Sequence, residues 1–493
     1  MSSIHIAFFI IISFVIIYKA NTSYFKEIKP TFTSLLFLIK ILAALFFLYV
    51  YTYHYGGGEL TADAGMFFKE AKVLNSVFHE NKEAFFKFLL AFKDDPELIE
   101  KYLDATSHWN ASERILPNDS RNVIRINSLI LFISNGQIFI HFIIFSLFSF
   151  LGGIDLYQFI KKHSHFRKEI VLATFTILPS IAFWGSSIIK EPLMLLGLML
   201  LIRAIFDDIK FSSRIWRIIL GLILMLLFKP YVLFIISPFI ILYLVYKVFR
   251  VKRVILVALS FFVIIFLVGQ FMGANKKALN MISKQQEDFI NLRDGGLYLI
   301  DDEEHYIYIY YNNRNKFEIE GREATLIEPT GAFYMKANEN FNRKPIELKE
   351  VGKTWTIGVS LSEVGSGVPA TPIDKSFTQL LLNIPSALWN STIRPFPFDP
   401  GSWLKHLAFL ENFILFASLF LVLSNKKKFS LKQKQILIPL VGFTFTLFVI
   451  VGLTTPVLGA IVRYKVPATL TLSIIVLVLA AKDNMLVRFF KKV

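Results

Sequence analysis

The chain has 493 residues, 54% of them hydrophobic and only 18% charged, with 52 Phe and a net charge of +16; its mean hydropathy is +0.54. Charged and polar residues must cover the outside of a soluble fold, and an ordinary soluble domain carries about 25% charged residues. A soluble enzyme, a disordered chain, a collagen and a coiled coil are therefore excluded, and the absence of Cys removes disulfides, thiolate catalysis and Cys-ligated zinc.

A hydrocarbon core about 30 Å thick takes roughly 20 apolar residues of helix. Eleven stretches qualify as spans: 3–18, 32–53, 127–150, 169–187, 191–206, 215–228, 231–247, 253–272, 406–424, 435–453 and 466–481. The chain thus reads as an all-α polytopic membrane protein. The short stretch 215–228 and its successor, separated by Pro230, form a helical hairpin. The N-terminal stretch has neither a basic leader nor a small-residue cleavage site, so it reads as a retained span.

Alternate loops carry the bases: Lys19, Lys26 and Lys29, then the runs at 161–168, 203–217, 247–253, 426–434 and 482–492. Their acids are few, namely Glu27, Glu169, Asp207, Asp208 and Asp483. Such loops face the cytoplasm, which puts the N-terminus outside and the C-terminus inside a bacterial cytoplasmic membrane. Their basic excess is larger than the net charge of the whole chain, so the outer side is acidic in sum. The positive balance is a topological signal, and nucleic acid is not an expected partner.

The outer side carries two long loops. Residues 54–126 are helical in texture: "DAGMFFKEAKVLNSVF" has helical apolar spacing, and Asp95-Pro96 starts another short helix. Residues 273–405 differ. "GLYLIDD", "HYIYIYY", "KFEIEG", "ATLIEP" and "TWTIGVSL" read as short strands of a small β-rich extracytoplasmic lobe over 293–362, with a hairpin turn at "YYNNRNKF". Residues 376–392 read as an amphipathic helix on the membrane surface. The organisation is 1–272 with eight spans, 273–405 outside, and 406–493 with three spans.

Several bases at outer span ends are not explained by topology: Arg125, Lys190, Lys229, Arg394, Arg463 and Lys465. Each could snorkel to lipid phosphate. As a set they suggest an anionic ligand, because Lys190-Glu191-Pro192, Lys229-Pro230 and Arg394-Pro395 put charge at helix breaks, where backbone groups are also free. The acids are the other half. In "GGGELTADAGMFFKEA", Thr61 is a helix cap and Asp63 falls in the first turn. There Asp63 serves as a general base towards a sugar hydroxyl or as a ligand for a divalent metal, or merely stabilises a helix N-terminus. Glu59 is a second candidate. Glu191 is the ion-pair partner expected for Lys190, and Asp399 and Glu411 are further acids on this side. No HExxH, phosphate-loop, dinucleotide-binding or GxSxG pattern is present, and the sequons at 109–112 and 389–392 are attributed to chance.

The Gly-rich turn with "TADAGMFF" after the second span resembles the start of bacterial polysaccharide polymerases of the EpsG/Wzy kind. "LPSIAFWGSSIIKEPLMLLGLMLLI" (178–202) resembles the middle of the same proteins. "RPFPFDPGSWLKHLAFLEN" (394–412) and "RYKVPATLTL" (463–472) are similar to envelope-cluster membrane proteins and to GT-C glycosyltransferases. The resemblance covers most of the membrane part but not the β-rich lobe. It implies a cell-envelope glycosyltransferase or polymerase using polyprenyl-phosphate-linked sugars at the outer face. It further implies that Asp63 is catalytic, that the outer bases hold the lipid phosphate, and that no soluble cofactor is needed. Other envelope polysaccharide assembly proteins are expected partners. The alternatives are a flippase for the same lipid-linked glycans, with charges deep in its spans, and a non-catalytic scaffold acting through the lobe.

Overall fold

The computed structural model describes residues 2–90, 95–109, 119–302, 305–336, 344–360, 364–424 and 429–492. The first half builds α1 (Ser2–Tyr24), α2 (Pro30–Tyr49) with a π turn at Val50–His54, α3 (Ala62–Glu80), α4 (Lys82–Leu90), α5 (Pro96–Leu103) and α6 (Asp119–Ser134). Then come α7 (Ile138–Ile160), α8 (Lys168–Ile177), α9 (Pro179–Trp184), α10 (Glu191–Phe206), α11 (Phe211–Phe228), α12 (Pro230–Val248) and α13 (Val254–Phe271). After α14 (Ala274–Asp294) and the sheet follow α15 (Phe377–Leu388), α16 (Lys405–Leu423), α17 (Leu431–Thr454), α18 (Leu458–Tyr464), α19 (Val466–Leu479) and α20 (Met485–Lys492).

Local chemistry sets many of these starts. Proline stands in the first positions of α2, α5, α9, α10, α12 and α19, where its missing N–H is no loss. Asp95 caps α5 by accepting from the Leu98 N–H, as its sequence position suggests, and Ser430 with Gln433 forms a reciprocal capping box on α17.

Among the described residues, eight helices are long and apolar enough to cross a membrane: α1, α2 with its π turn, α7, α11, α12, α13, α16 and α17. The pair α18 and α19, bent by 53°, qualifies together as a ninth. The chain is a mostly helical multi-pass membrane protein. Two expected spans differ, and a third, 191–206, keeps its bounds but is shorter than the eight. The stretch 127–150 is broken at Asn135 and Gly136, whose φ values are 48° and 76°. Residues 119–134 form α6 against α3 instead, and the crossing helix is α7. Pro179 cuts 169–187 into α8 and α9, and 191–206 becomes the 16-residue α10.

The two ends of the bundle are chemically distinct. At one end Glu27 accepts from Tyr157 and Lys161, Lys162 pairs with Asp207 at 2.8 Å, and Lys432 pairs with Asp208 at 2.8 Å. Burial acts to raise the Glu27 carboxyl, but the bonds from Lys161 and Tyr157 hold it below its ordinary value. Asp155 of α7 receives both Arg203 and Arg217. Arg214 and Arg217 thus lie inside α11 and do not precede it. Lys426, Lys427 and Lys428 lie outside the described residues.

The opposite end carries the sheet. Strands β1 (Leu297–Ile300), β2 (His305–Ile309), β3 (Phe317–Glu320), β4 (Glu323–Leu326), β5 (Thr330–Lys336), β6 (Lys344–Leu348) and β7 (Thr354–Ser360) are antiparallel in the order β3-β4-β7-β1-β2-β5-β6. Leu297, Leu299, Ile307, Ile309, Leu326 and Trp355 supply its own small core. "YYNNRNKF" is not a hairpin: Tyr311–Lys316 is a 3₁₀ turn joining β2 to β3, which do not pair.

Backbone bonds fix this end to the bundle. Val368 N–H donates to the Pro456 carbonyl at 3.0 Å, and Leu458 N–H to Ser366 at 2.9 Å. The Gln286 amide reaches the Leu453 carbonyl at 2.9 Å. The expected surface helix is α15 plus a π turn at Trp389–Ile393, and it crosses α17 at Gly452, where an added Cβ would stand 2.0 Å from the Ala387 carbonyl oxygen. Backbone cannot retreat as a flexible side chain can. Gly452→Val is therefore expected to destabilise the purified protein by about 1–3 kcal/mol, seen as a lowered Tm in detergent. An unchanged Tm would refute the close crossing.

Candidate functional site

Four chain breaks meet at the sheet-bearing end, and each delivers one charge. The first follows the π turn. Gly57 and Gly58 have φ values of 58° and 107°, and a Cβ on Gly56 would meet the Glu59 carbonyl oxygen at 1.9 Å, so the three glycines are sterically required. The turn closes with Thr61 N–H donating to the Tyr51 carbonyl at 3.2 Å. This places Asp63 in the first turn of α3. Thr61 stands at the cap position, but its hydroxyl makes no capping bond. Glu191 is the first residue of α10, after the irregular stretch 185–190. Lys229 occupies the break between α11 and α12, and Arg463 lies in the last turn of α18, before the bend at Lys465.

Arg463 is the hub. Its Nε and one terminal nitrogen donate to the two oxygens of Glu191, at 2.7 and 3.1 Å. Its other terminal nitrogen donates to Asp63 Oδ2 at 2.6 Å. Lys229 Nζ approaches Glu191 Oε1 to 3.3 Å. Aromatic rings wall the cluster: Lys229 lies 4.6 Å from the Tyr464 ring centre, and Arg463 lies 5.7 Å from that of Trp184. Beside it, Lys190 pairs with Asp119 at 2.7 Å and not with the expected Glu191, whose carboxylate is taken by Arg463 and Lys229.

Two acids and two bases leave this cluster neutral. The Glu191 side chain is 1% exposed, whereas that of Asp63 is 45% exposed. An incoming anion can therefore take the guanidinium edge that Asp63 occupies without uncovering Glu191, since a bidentate guanidinium suits a phosphate as well as a carboxylate.

The structure thus brings Asp63, Glu191, Lys229 and Arg463 together, with Lys190 adjacent. The other candidates have other partners. Arg125 lies within α6 and donates to the Phe88 carbonyl and to Asn122 Oδ1, each at 2.8 Å. Lys465 donates to the Ser391 carbonyl and to Asn412 Oδ1, each at 2.9 Å, which satisfies the π turn after α15. Arg394 stands 3.9 Å from Asp399, which accepts from the Phe396 N–H. Glu59 pairs with exposed Lys69, whose hydrogen bond holds the carboxyl below its ordinary value. Among the described residues no group of three or more His, Cys, Asp or Glu could hold a metal ion.

Glu411 and Lys40 act on the same short helix, α9. The Ser180 N–H donates to both Glu411 oxygens at 3.2 Å, and the Ser180 hydroxyl to Oε1 at 2.8 Å. Lys40, fully buried, donates to the Ile181 carbonyl at 3.2 Å. The carboxylate meets the positive N-terminal end of the helix and the ammonium its negative C-terminal end. Sequence reasoning passed over Lys40, although a lone Lys in the middle of the apolar stretch 32–53 is itself a signal.

A cavity of about 320 Å³ opens between α2, α9, α16 and α18. Phe46, Tyr51, Trp184, Lys405, Glu411 and Val462 are among its lining residues. Tyr51 and Trp184 therefore border both the cavity and the charged cluster. No family model, curated protein or solved structure matches this chain.

Removing Glu191 would leave Arg463 and Lys229 facing each other without their shared carboxylate. Glu191→Ala is expected to destabilise the protein by about 3–5 kcal/mol, while Asp63→Asn changes stability little because Asp63 is half exposed. Thermal unfolding of both variants in detergent checks this. Equal, small effects would remove Glu191 as the pivot of the network.

Proposed function

We propose that the chain is a cell-envelope glycosyltransferase or polysaccharide polymerase acting on polyprenyl-(pyro)phosphate-linked sugars. The observation that carries this reading is the cluster of Arg463, Lys229, Glu191 and Asp63 at helix breaks, next to an apolar-walled cavity. Such a substrate has an anionic head, a sugar and an apolar chain, and the cluster and cavity offer a complement to each. Arg463, Lys229 and the adjacent Lys190 hold the phosphate and take up the negative charge that develops as the glycosidic bond to it breaks. Asp63, displaced from Arg463 by the phosphate, orients the acceptor. The charged loops of the other end face the cytoplasm in this reading, so transfer occurs at the outer face of a bacterial cytoplasmic membrane, and the sheet projects from that face.

A carrier for the same glycans would use charges deep in its spans. Lys40 and Glu411 are such charges, but both hold the ends of α9, which favours a fixed scaffold over a moving path.

Purified protein incubated with radiolabelled polyprenyl-(pyro)phosphate-linked sugars tests the proposal. Arg463→Lys, which keeps a positive charge beside Glu191 but loses the bidentate fork, and Lys190→Ala are expected to lower transfer by about 10²–10³ or more, while both variants still insert normally. Asp63→Asn is expected to retain donor binding but form less product. Full product from the Arg463 and Lys190 variants would sink the phosphate site.

A further inference from the structure

Two carboxylates border the region where transfer would take place, and their surroundings differ. Asp63 is tied to the Arg463 guanidinium at 2.6 Å and does not line the cavity. Glu411 forms no ion pair among the described residues, and its hydrogen-bond donors all belong to Ser180. A carboxylate can accept about four hydrogen bonds, so Glu411, which is among the residues lining the cavity, keeps acceptor capacity beyond these three.

The cavity's lining is mostly apolar but includes aromatic rings and a few polar groups. Tyr51, Tyr55 and Trp184 give it aromatic walls, while Ser180, Lys405 and Glu411 give it polar groups. Its volume falls within the range of small-molecule sites, about 300–1,000 Å³. Such a mixture of ring faces and a few fixed polar groups matches the alternating apolar and hydroxyl-bearing faces of a pyranose.

We propose that this cavity is the acceptor-sugar subsite and that Glu411 is the general base of the transfer. This rests on the transferase reading above. The acceptor hydroxyl enters beside Glu411 and gives up its proton to the carboxylate as its oxygen bonds to the anomeric carbon of the donor sugar. The bond from that carbon to the lipid (pyro)phosphate breaks, and its electron pair leaves with the phosphate, held by Arg463 and Lys229. The proton then passes from Glu411 to bulk water as the product departs. Ser180 is the positioning residue: its N–H and hydroxyl fix the plane of the carboxylate. The charged groups around Glu411 are Lys465 across the bundle, Lys405 on its own helix, which donates to the Asp399 carbonyl, and Lys40 at the far end of α9.

Glu411→Gln separates this role from a structural one, because a Gln carbonyl oxygen still accepts from the Ser180 N–H. With a panel of radiolabelled polyprenyl-(pyro)phosphate-linked hexoses and N-acetylhexosamines as donors and acceptors, the expected result is a fall in kcat of about 10²–10⁴. The KM for donor should stay unchanged, and the acidic limb of the pH profile should disappear. Wild-type kcat in this variant overturns the proposal. Ala408→Phe, which fills the cavity without touching the charged cluster, is the second arm. It should raise the KM for acceptor alone, and an unchanged acceptor KM overturns the subsite. If wild-type protein transfers no sugar from any donor while both variants fold, the transferase reading falls, and this inference with it.

Discussion

Arg463 makes the bond on which the rest of this end of the molecule depends. Its guanidinium joins Glu191 and Asp63, which belong to the first turns of α10 and α3. A buried ion without a partner is destabilising by several kcal/mol, so the buried Glu191 pair keeps α10 and α18 from separating independently. Lys229 adds the α11–α12 break to the same carboxylate. The breaks in the helices are therefore locked to one another through charge. Apolar contacts in the bundle below give no such directional constraint, since lipid tails are as apolar as its side chains.

The same principle operates one layer down at α9. A helix of six residues cannot cancel its end charges by length, and inside a membrane no water does so. Glu411 and Lys40 do it instead, one at each end. The carboxylate beside the cavity is thus fixed by the fold's need to terminate a helix. Trp184, at the C-terminal end of the same helix, reaches Arg463. Helix termination, cavity wall and charged cluster share one short element.

Much of this was legible in the residues. Pro192 and Pro230 mark two of the breaks, and Glu191 and Lys229 beside them join the cluster, whereas Lys465 near Pro467 and Arg394 before Pro395 do not. The alternation of basic loops gives the two ends, and period-two texture gives most strands of the sheet. What was not legible depends on contact between segments far apart in sequence. Nothing local shows that Arg125 faces Phe88 and Asn122, or that Lys465 satisfies a π turn some seventy residues earlier. The break at Asn135-Gly136 is a turn dipeptide set within apolar residues, and the apolar run outweighed it. Strands β5 and β6 escaped because "TGAFYMK" and "KPIEL" carry Gly and Pro, which read as punctuation.

The lengths of the helices beneath the cluster have a consequence for the lipid around them. At 1.5 Å per residue, the 16 residues of α10 rise about 24 Å and the 14 of α19 about 21 Å, against a hydrocarbon core of about 30 Å. Tilt only shortens them further. Both are almost wholly buried in the bundle, so lipid meets longer neighbours such as α1 and α13 instead.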